Sequence, residues 1–266
     1  VERSQCRLLR PLLGQSRDEL RAYLHDLGIS WIDDPSNSDT RFERARLRRA
    51  PPHNFVQANE IAWAGNRRLD HEHSVLQALA GSMTLHPFGF CTLEMPNLES
   101  VPAQIRAGAL SRIVGWIGGQ PYRPGPSAAT HLCDQIGRLA PGRAATLGGC
   151  LVTRGKHSLV VTREPGRLPE VKSMTLGSGV LWDQRFWIEA GRESARVTPV
   201  NIGPLGQPGW KSVEASVSNH LIADLPKSAI WALPALWIDG EVVAVPHLLF
   251  NCAAKYEFSA VFRPQR

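Results

Sequence analysis

Along the first fifty residues the apolar positions follow a helical period once and then change register. Leu20, Tyr23, Leu24 and Leu27 recur three and four apart behind Ser16-Arg17-Asp18-Glu19. That quartet is a capping-box pattern, in which the Ser16 hydroxyl takes an orphan N–H and Glu19 reaches back. Gly28 stands where a C-terminal cap belongs, so the pattern predicts a helix of about three turns. Ile29-Ser30-Trp31-Ile32 then reads as a short, buried, extended piece. Asp33-Asp34-Pro35-Ser36-Asn37 reads as a polar turn. Residues 41–49 carry five arginines, and a helical conformation would put Arg41, Arg44 and Arg48 on one face. Pro51-Pro52 stops that helix.

Residues 53–80 are continuous and contain few glycines, which predicts one long helix or two joined ones. Ile61, Leu69, Val75, Leu76 and Leu79 are its expected core contacts. Residues 81–102 read as a hairpin-like insert turning at His86-Pro87-Phe88-Gly89. Ile105, Ala109, Ile113 and Ile117 mark another helix by their four-residue spacing, capped by Gly118-Gly119, and residues 130–139 a further short one. From about residue 141 the pattern turns β-like. Runs at 145–153 and 158–163 flank a turn at Arg154-Gly155-Lys156-His157, and further runs lie at 180–189 and 196–200. The strongest hairpin signal is Asp239-Gly240 between two apolar alternating runs, because Asp-Gly suits a type I′ turn. The expected architecture is α+β and multidomain, with an N-terminal piece at 1–50, a helical middle domain at 51–140 and a small β-rich C-terminal domain at 141–266.

Composition narrows the chemistry. The 266 residues carry a formal net charge of +6, and 25 of the 30 basic residues are arginine. Guanidinium is a planar fork of donors that fits phosphate, which tilts the expectation toward nucleic acid or nucleotide. The longest strongly apolar run, 229–238, contains Pro234 and is too short for a bilayer, which takes about 20 residues. No membrane association is expected. Five scattered cysteines without a C-x-x-C pair fit a reducing cytoplasm and argue against a disulfide framework or zinc.

No G-x-x-x-x-G-K-[ST] loop, G-x-G-x-x-G fingerprint or G-x-S-x-G elbow occurs. His71 and His73 sit two apart and diverge on a helix, which reads as solvated surface. Cys150, in an apolar β run, reads as packing; for Trp182, Trp187, Trp210, Trp231 and Trp237, which could stack on bases, core packing is the better reading. For Arg185 a cross-strand salt bridge and an RNA contact fit equally well. Residues 10–49 stand apart, since they place carboxylates and an Asn amide in a turn beside fixed positive charge. Two readings fit that block. Either the turn and the arginines hold a phosphate backbone or a magnesium ion, or Ser36 or Asn37 caps the next helix and the arginines form a solvated face.

At these residues the chain resembles a known family. Arg10-Pro11-Leu12-Leu13, a helix, Trp31-Ile32-Asp33-Asp34-Pro35-Ser36-Asn37 and then the spaced Arg44, Leu47 and Arg48 resemble the closing segment of the catalytic domain in tRNA(Ile)-lysidine synthases. These belong to the PP-loop ATP-pyrophosphatase superfamily. Gln120-Pro121-Tyr122-Arg123-Pro124, Thr146-Leu147-Gly148-Gly149-Cys150 and Trp182-Asp183-Gln184-Arg185-Phe186 are similar to that family's accessory region. So are Leu233-Pro234-Ala235-Leu236 and Val245-Pro246.

The resemblance implies that residues 1–50 are the end of an α/β, Rossmann-like PP-loop domain, and that the middle domain contacts tRNA. It implies a ligase that adenylates the wobble cytidine of an isoleucine tRNA with ATP and Mg2+, then lets the L-lysine amine displace AMP. By the same resemblance Arg44 and Arg48 are catalytic, Asp34, Ser36 and Asn37 shape the pocket, and Arg41, Arg46 and Arg49 contact tRNA. Ala45 departs from the Asn common in the family. The superfamily's S-G-G-x-D-S nucleotide loop is absent from the 266 residues, so the chain is expected to be an N-terminally truncated form that binds tRNA, holds no cofactor and is inactive alone. Two other readings remain: a non-catalytic RNA-binding protein, and a PP-loop enzyme that modifies another tRNA base. A domain with an Arg-rich surface and no RNA role is the plainest alternative.

Overall fold

The computed structural model describes residues 2–3, 6–7, 11–34, 39–41, 43, 46, 58–174, 179–191, 200–252 and 258–264. They fall into two compact units, Val1–Leu69 and Asp70–Arg266. The fold is mixed α+β, with a helical stretch before and within the first sheet and β-rich sheets toward the C-terminus.

In the first unit β1 (Glu2–Arg3) and β2 (Cys6–Arg7) pair antiparallel, and a 3-10 turn, Pro11–Gly14, leads to the helix Arg17–Asp26. The capping box forms as the sequence requires. The Glu19 N–H donates to Ser16 Oγ at 3.1 Å, and the Ser16 N–H donates to Glu19 Oε2 at 2.7 Å. Gly28, at φ 67°, ends the helix in the left-handed conformation that glycine adopts without strain. No side chain of this helix is buried. The expectation of a buried piece at 29–32 is corrected too: Ile29 and Trp31 are exposed, and Ile32 is 94% exposed. An apolar run is buried only where another element lies over it, and no described element of residues 1–69 covers this one. Glu43 and Arg46 are helical; the rest of the expected helix at 41–49 lies outside the described residues.

The long helix runs Ala58–Ala80. Of its expected core contacts Val75 and Leu79 are buried, Leu69 and Leu76 are exposed, and the Ile61 side chain lies outside the description. The second unit builds its first core on a five-stranded antiparallel sheet in the order β3 (Met83–His86), β4 (Phe90–Glu94), β7 (Ser158–Arg163), β6 (Cys150–Arg154), β5 (Ala144–Leu147). The helices Ala103–Ile117 and Pro126–Arg138 lie with it. Of the expected stripe, Ala109, Ile113 and Ile117 are fully buried among Val114, Leu132, Cys150, Val152, Leu159 and Val161, and Ile105 is partly buried at its edge. The second of these helices starts four residues earlier than the apolar period suggests, because Pro126 fits its first turn. The sheet takes strands from both sides of residue 140, so the change of composition seen there runs through it.

A second core lies between two further sheets. One orders β14 (Phe250–Asn251), β13 (Glu241–Val245), β12 (Pro234–Ile238), β11 (Val200–Pro204) and β8 (Lys172–Met174); the other orders β15 (Phe258–Phe262), β10 (Phe186–Ala190) and β9 (Gly179–Trp182). Trp182, Phe186, Ile188, Ile202, Trp210, Leu233 and Val245 fill it, with the helix Gly206–Val213 packed against β13. The Asp239-Gly240 hairpin forms between β12 and β13, with φ of 50° and 83° at the two turn residues, the signature of a type I′ turn.

Candidate functional site

The helix Arg17–Asp26 sets Arg17 and Arg21 one turn apart on a common face, and both reach Asp33. Arg17 Nη2 donates to Asp33 Oδ1 at 3.0 Å, and Arg21 Nη2 to Oδ1 at 2.6 Å and Oδ2 at 2.9 Å. The Arg21 hydrogen bond holds the Asp33 carboxyl below the usual carboxylate range, and the guanidinium also lies 5.8 Å from the Trp31 ring centroid. The four-residue spacing of the two arginines is the sequence signal for this pairing, which the resemblance at Asp34 does not include. Asp34 itself is exposed.

Arg41 is exposed and chelates Asp39, with Nη2 to Oδ2 at 2.7 Å and its backbone N–H to Oδ1 at 3.0 Å. That contact lowers the Asp39 pKa and raises that of Arg41. Arg46 is exposed. Ser36, Asn37, Arg44, Arg48 and Arg49 lie outside the described residues. Asp33 and Asp39 already carry arginines, and no group of three or more His, Cys, Asp or Glu among the described residues is placed to hold a metal ion.

The second unit holds an ionic cluster that sequence reasoning found only in part. Residues 182–186 turn between β9 and β10, with Asp183 at φ 49° and Gln184 at φ 55°. Arg185 is completely buried and donates from Nε to Asp183 Oδ2 at 2.8 Å. Arg163, at the end of β7, takes the same carboxylate from the other side, Nε to Oδ2 at 3.1 Å and Nη2 to Oδ1 at 3.2 Å. Burial pushes the Arg185 pKa down, against the stabilising charge of Asp183. Of the two readings open for Arg185, the structure shows a buried salt bridge, made within the turn to Asp183 and not across strands. Arg163 was missed because nothing in an alternating strand marks which polar end turns inward.

Elsewhere Glu72 accepts from Arg112 and, at 2.8 Å, from Arg123 Nη2. Burial opposes its ionisation, but the Arg123 hydrogen bond and the charges of Arg112 and Arg123 keep the carboxyl below its ordinary range. Tyr122, beside that pair, is exposed. Cys91 and Cys150 are buried thiols pushed up to about 12 by desolvation, so neither is a nucleophile. A cavity of about 260 Å³ is lined by Met95, Leu98, Arg106, Leu110, Cys133 and Arg138 among others, and none of the residues singled out in 10–49 lines it.

Comparison with known proteins bears on this arrangement. A family model described as a PP-loop domain matches residues 1–52. The tRNA(Ile)-lysidine synthase of Ruegeria pomeroyi is 31% identical over 256 residues, covering 90% of this chain and 55% of that protein. This chain is a homologue of the tRNA(Ile)-lysidine synthases. The synthase of Rickettsia felis is 25% identical over 275 residues, covering 98% of this chain and 62% of its own length. That of Brucella suis is 29% identical over 255 residues, covering 91% and 54%. The chain therefore spans a little over half the length of these relatives. Its similarity to the synthases runs through the PP-loop segment, the first sheet and the β-rich end alike. Among the described residues no helix is long and apolar enough to cross a membrane.

Proposed function

We propose that this chain is part of a ligase that uses ATP and L-lysine to convert the wobble cytidine of an isoleucine tRNA to lysidine. The observation that carries the reading is the continuous similarity to synthases over 90% to 98% of the chain. Within it residues 10–49 close the pocket. Arg44 and Arg48 neutralise charge at the phosphoryl leaving group, as fixed guanidiniums do without reorganising. Asp34, Ser36 and Asn37 shape the turn beside them, and Arg41, Arg46 and Arg49 hold tRNA phosphates. The Arg17–Asp33–Arg21 pairing is a positioning device for that turn, since it ties the helix to the residue before Asp34. The described residues supply no phosphate loop, so the contribution of residues 1–266 is pocket closure and grip on the tRNA.

The test is filter binding of an isoleucine tRNA transcript across a salt series. Binding that weakens linearly in log–log form, with a slope reduced by about one in Arg46→Ala, is the expected outcome. Absence of tRNA binding at low salt would overturn the reading. For the catalytic assignment, Arg48→Ala is made in an enzyme that joins this chain to an S-G-G-x-D-S domain. Unchanged lysidine formation there removes Arg48 from the pocket.

A further inference from the structure

The two guanidiniums that share Asp183 also reach separate parts of the second unit. Arg185 Nη1 donates to the Gly89 carbonyl at 3.1 Å, in the turn between β3 and β4, and Nη2 to the Ala232 carbonyl at 3.2 Å, behind the helix Lys227–Trp231. Arg163 donates from Nη1 to the Gly149 carbonyl at 2.8 Å and from Nη2 to the Arg167 carbonyl at 2.5 Å. Gly119, at φ 63°, leaves room for the carboxylate, since a Cβ there would lie 2.6 Å from Asp183 Oδ1. Gly89, Gly119, Gly149 and Arg163 belong to the half built on the first core; Asp183, Arg185 and Ala232 belong to the β-rich half. Ser228 Oγ donates to Thr162 Oγ1 across the same joint at 2.9 Å.

Two guanidiniums sharing one carboxylate without solvent are a poor source of stability compared with apolar packing, whereas they accept one geometry and reject others. Their place at the junction of two cores makes orientation the quantity they govern. Both halves carry exposed cations: Arg123, Arg138, Arg143 and Lys156 on the first, Lys172, Lys211, Lys227 and Arg263 on the second.

We propose that residues 182–186 with Arg163 form a clasp that fixes the two halves in the orientation in which one folded tRNA engages both at once. The proposal rests on the tRNA reading above. Two weak contacts held at a fixed separation act as one strong contact, and that gain disappears when the separation is no longer held. Asp183, Arg185 and Arg163 are positioning residues and do not touch the RNA.

The experiment compares the binding of an isoleucine tRNA transcript and of a short RNA hairpin that reaches only one half. Both are measured at one salt concentration, on the intact chain and on Arg185→Met. That variant leaves Arg163 and Asp183 as a neutral pair. The expected result is a loss of about tenfold or more for the whole tRNA with the hairpin unchanged. Equal affinity of variant and parent for the tRNA overturns the clasp, as does a parallel loss for both RNAs, which is the mark of a purely structural role. Should Arg185→Met fail to fold, Gly119→Ala displaces the carboxylate from outside the cluster with every charge retained, and the same split is required of it. A parent chain that binds neither RNA overturns the tRNA reading itself. Where the parent binds both, the variants alone decide for or against the clasp.

Discussion

Asp183 stands between two guanidiniums that have no other counter-ion in the cluster among the described residues. Arg163 and Arg185 have side-chain exposures of 4% and 0%, so Asp183→Ala strands two buried charges. Removal of one partner from such a pair costs about 3–5 kcal/mol, and urea unfolding of the second unit should show a loss of that size. A loss below about 1 kcal/mol would mean that water reaches the cluster. Gly119→Ala forces a side chain into the left-handed region and against the carboxylate, with an expected loss of about 1–3 kcal/mol in the same measurement.

His247 gives a second prediction at this scale. Its ring packs edge-on against Phe186 at 5.2 Å and hydrogen-bonds the Pro87 backbone, while Nδ1 has no partner among the described residues. Burial lowers its pKa from 6.5 to about 4, so the unfolded chain takes up a proton that the folded chain refuses. The stability due to a neutral His247 is complete above pH 6.5 and is lost as the pH falls toward 4, by up to about 3 kcal/mol. Unfolding measured at a series of pH values should show this slope in the parent chain and a flatter one in His247→Gln. Equal slopes would remove His247 as the cause.

At the scale of elements, the helix Arg17–Asp26 buries no side chain, so its capping box and the two ion pairs to Asp33 are its support among the described contacts. Ser16→Ala should speed amide exchange through residues 20–26 about fivefold, the kinetic equivalent of a lost cap. This helix was legible in the sequence because its signals are local: a hydroxyl, a carboxylate three residues on, a period and a glycine. The Asp239-Gly240 hairpin and the buried stripe of Ala103–Ile117 were legible for the same reason. Ile29, Trp31 and Ile32 misled, since an apolar run states that cover is wanted and not that cover exists in residues 1–69. Leu69 and Leu76 misled similarly, as the period of a long helix does not tell which stretch of it meets a core. Beside the candidate site, a salt bridge at Arg185 was open as one of two readings, whereas Arg163 was not visible. Its partner is twenty residues away, and no local pattern encodes a meeting at that distance.

For the whole molecule, the sheet that joins residues 83–94 to residues 144–163 governs where the chain divides. A fragment of residues 70–140 lacks β5, β6 and β7, and with them Cys150, Val152, Leu159 and Val161 of the first core. It should show no cooperative thermal transition by circular dichroism, and a sharp transition would mean that the helices Ala103–Ile117 and Pro126–Arg138 suffice. The intact chain should form no lysidine from ATP, L-lysine and tRNA, because no S-G-G-x-D-S loop lies within it. Product detected by mass spectrometry of the tRNA would refute this.

The strand order has a consequence in time. β4 pairs with β3 through a three-residue turn and with β7 on its other side, but β7 begins about 65 residues further along the chain. At roughly 5–20 residues per second, a ribosome leaves the β4 edge unpaired for about 3–13 seconds. During that interval the helix Ala103–Ile117 has already emerged and can lie over the apolar face of the hairpin. The open hydrogen-bonding edge waits for β7, a delay long enough for another nascent copy of the same segment on the same message to compete for it.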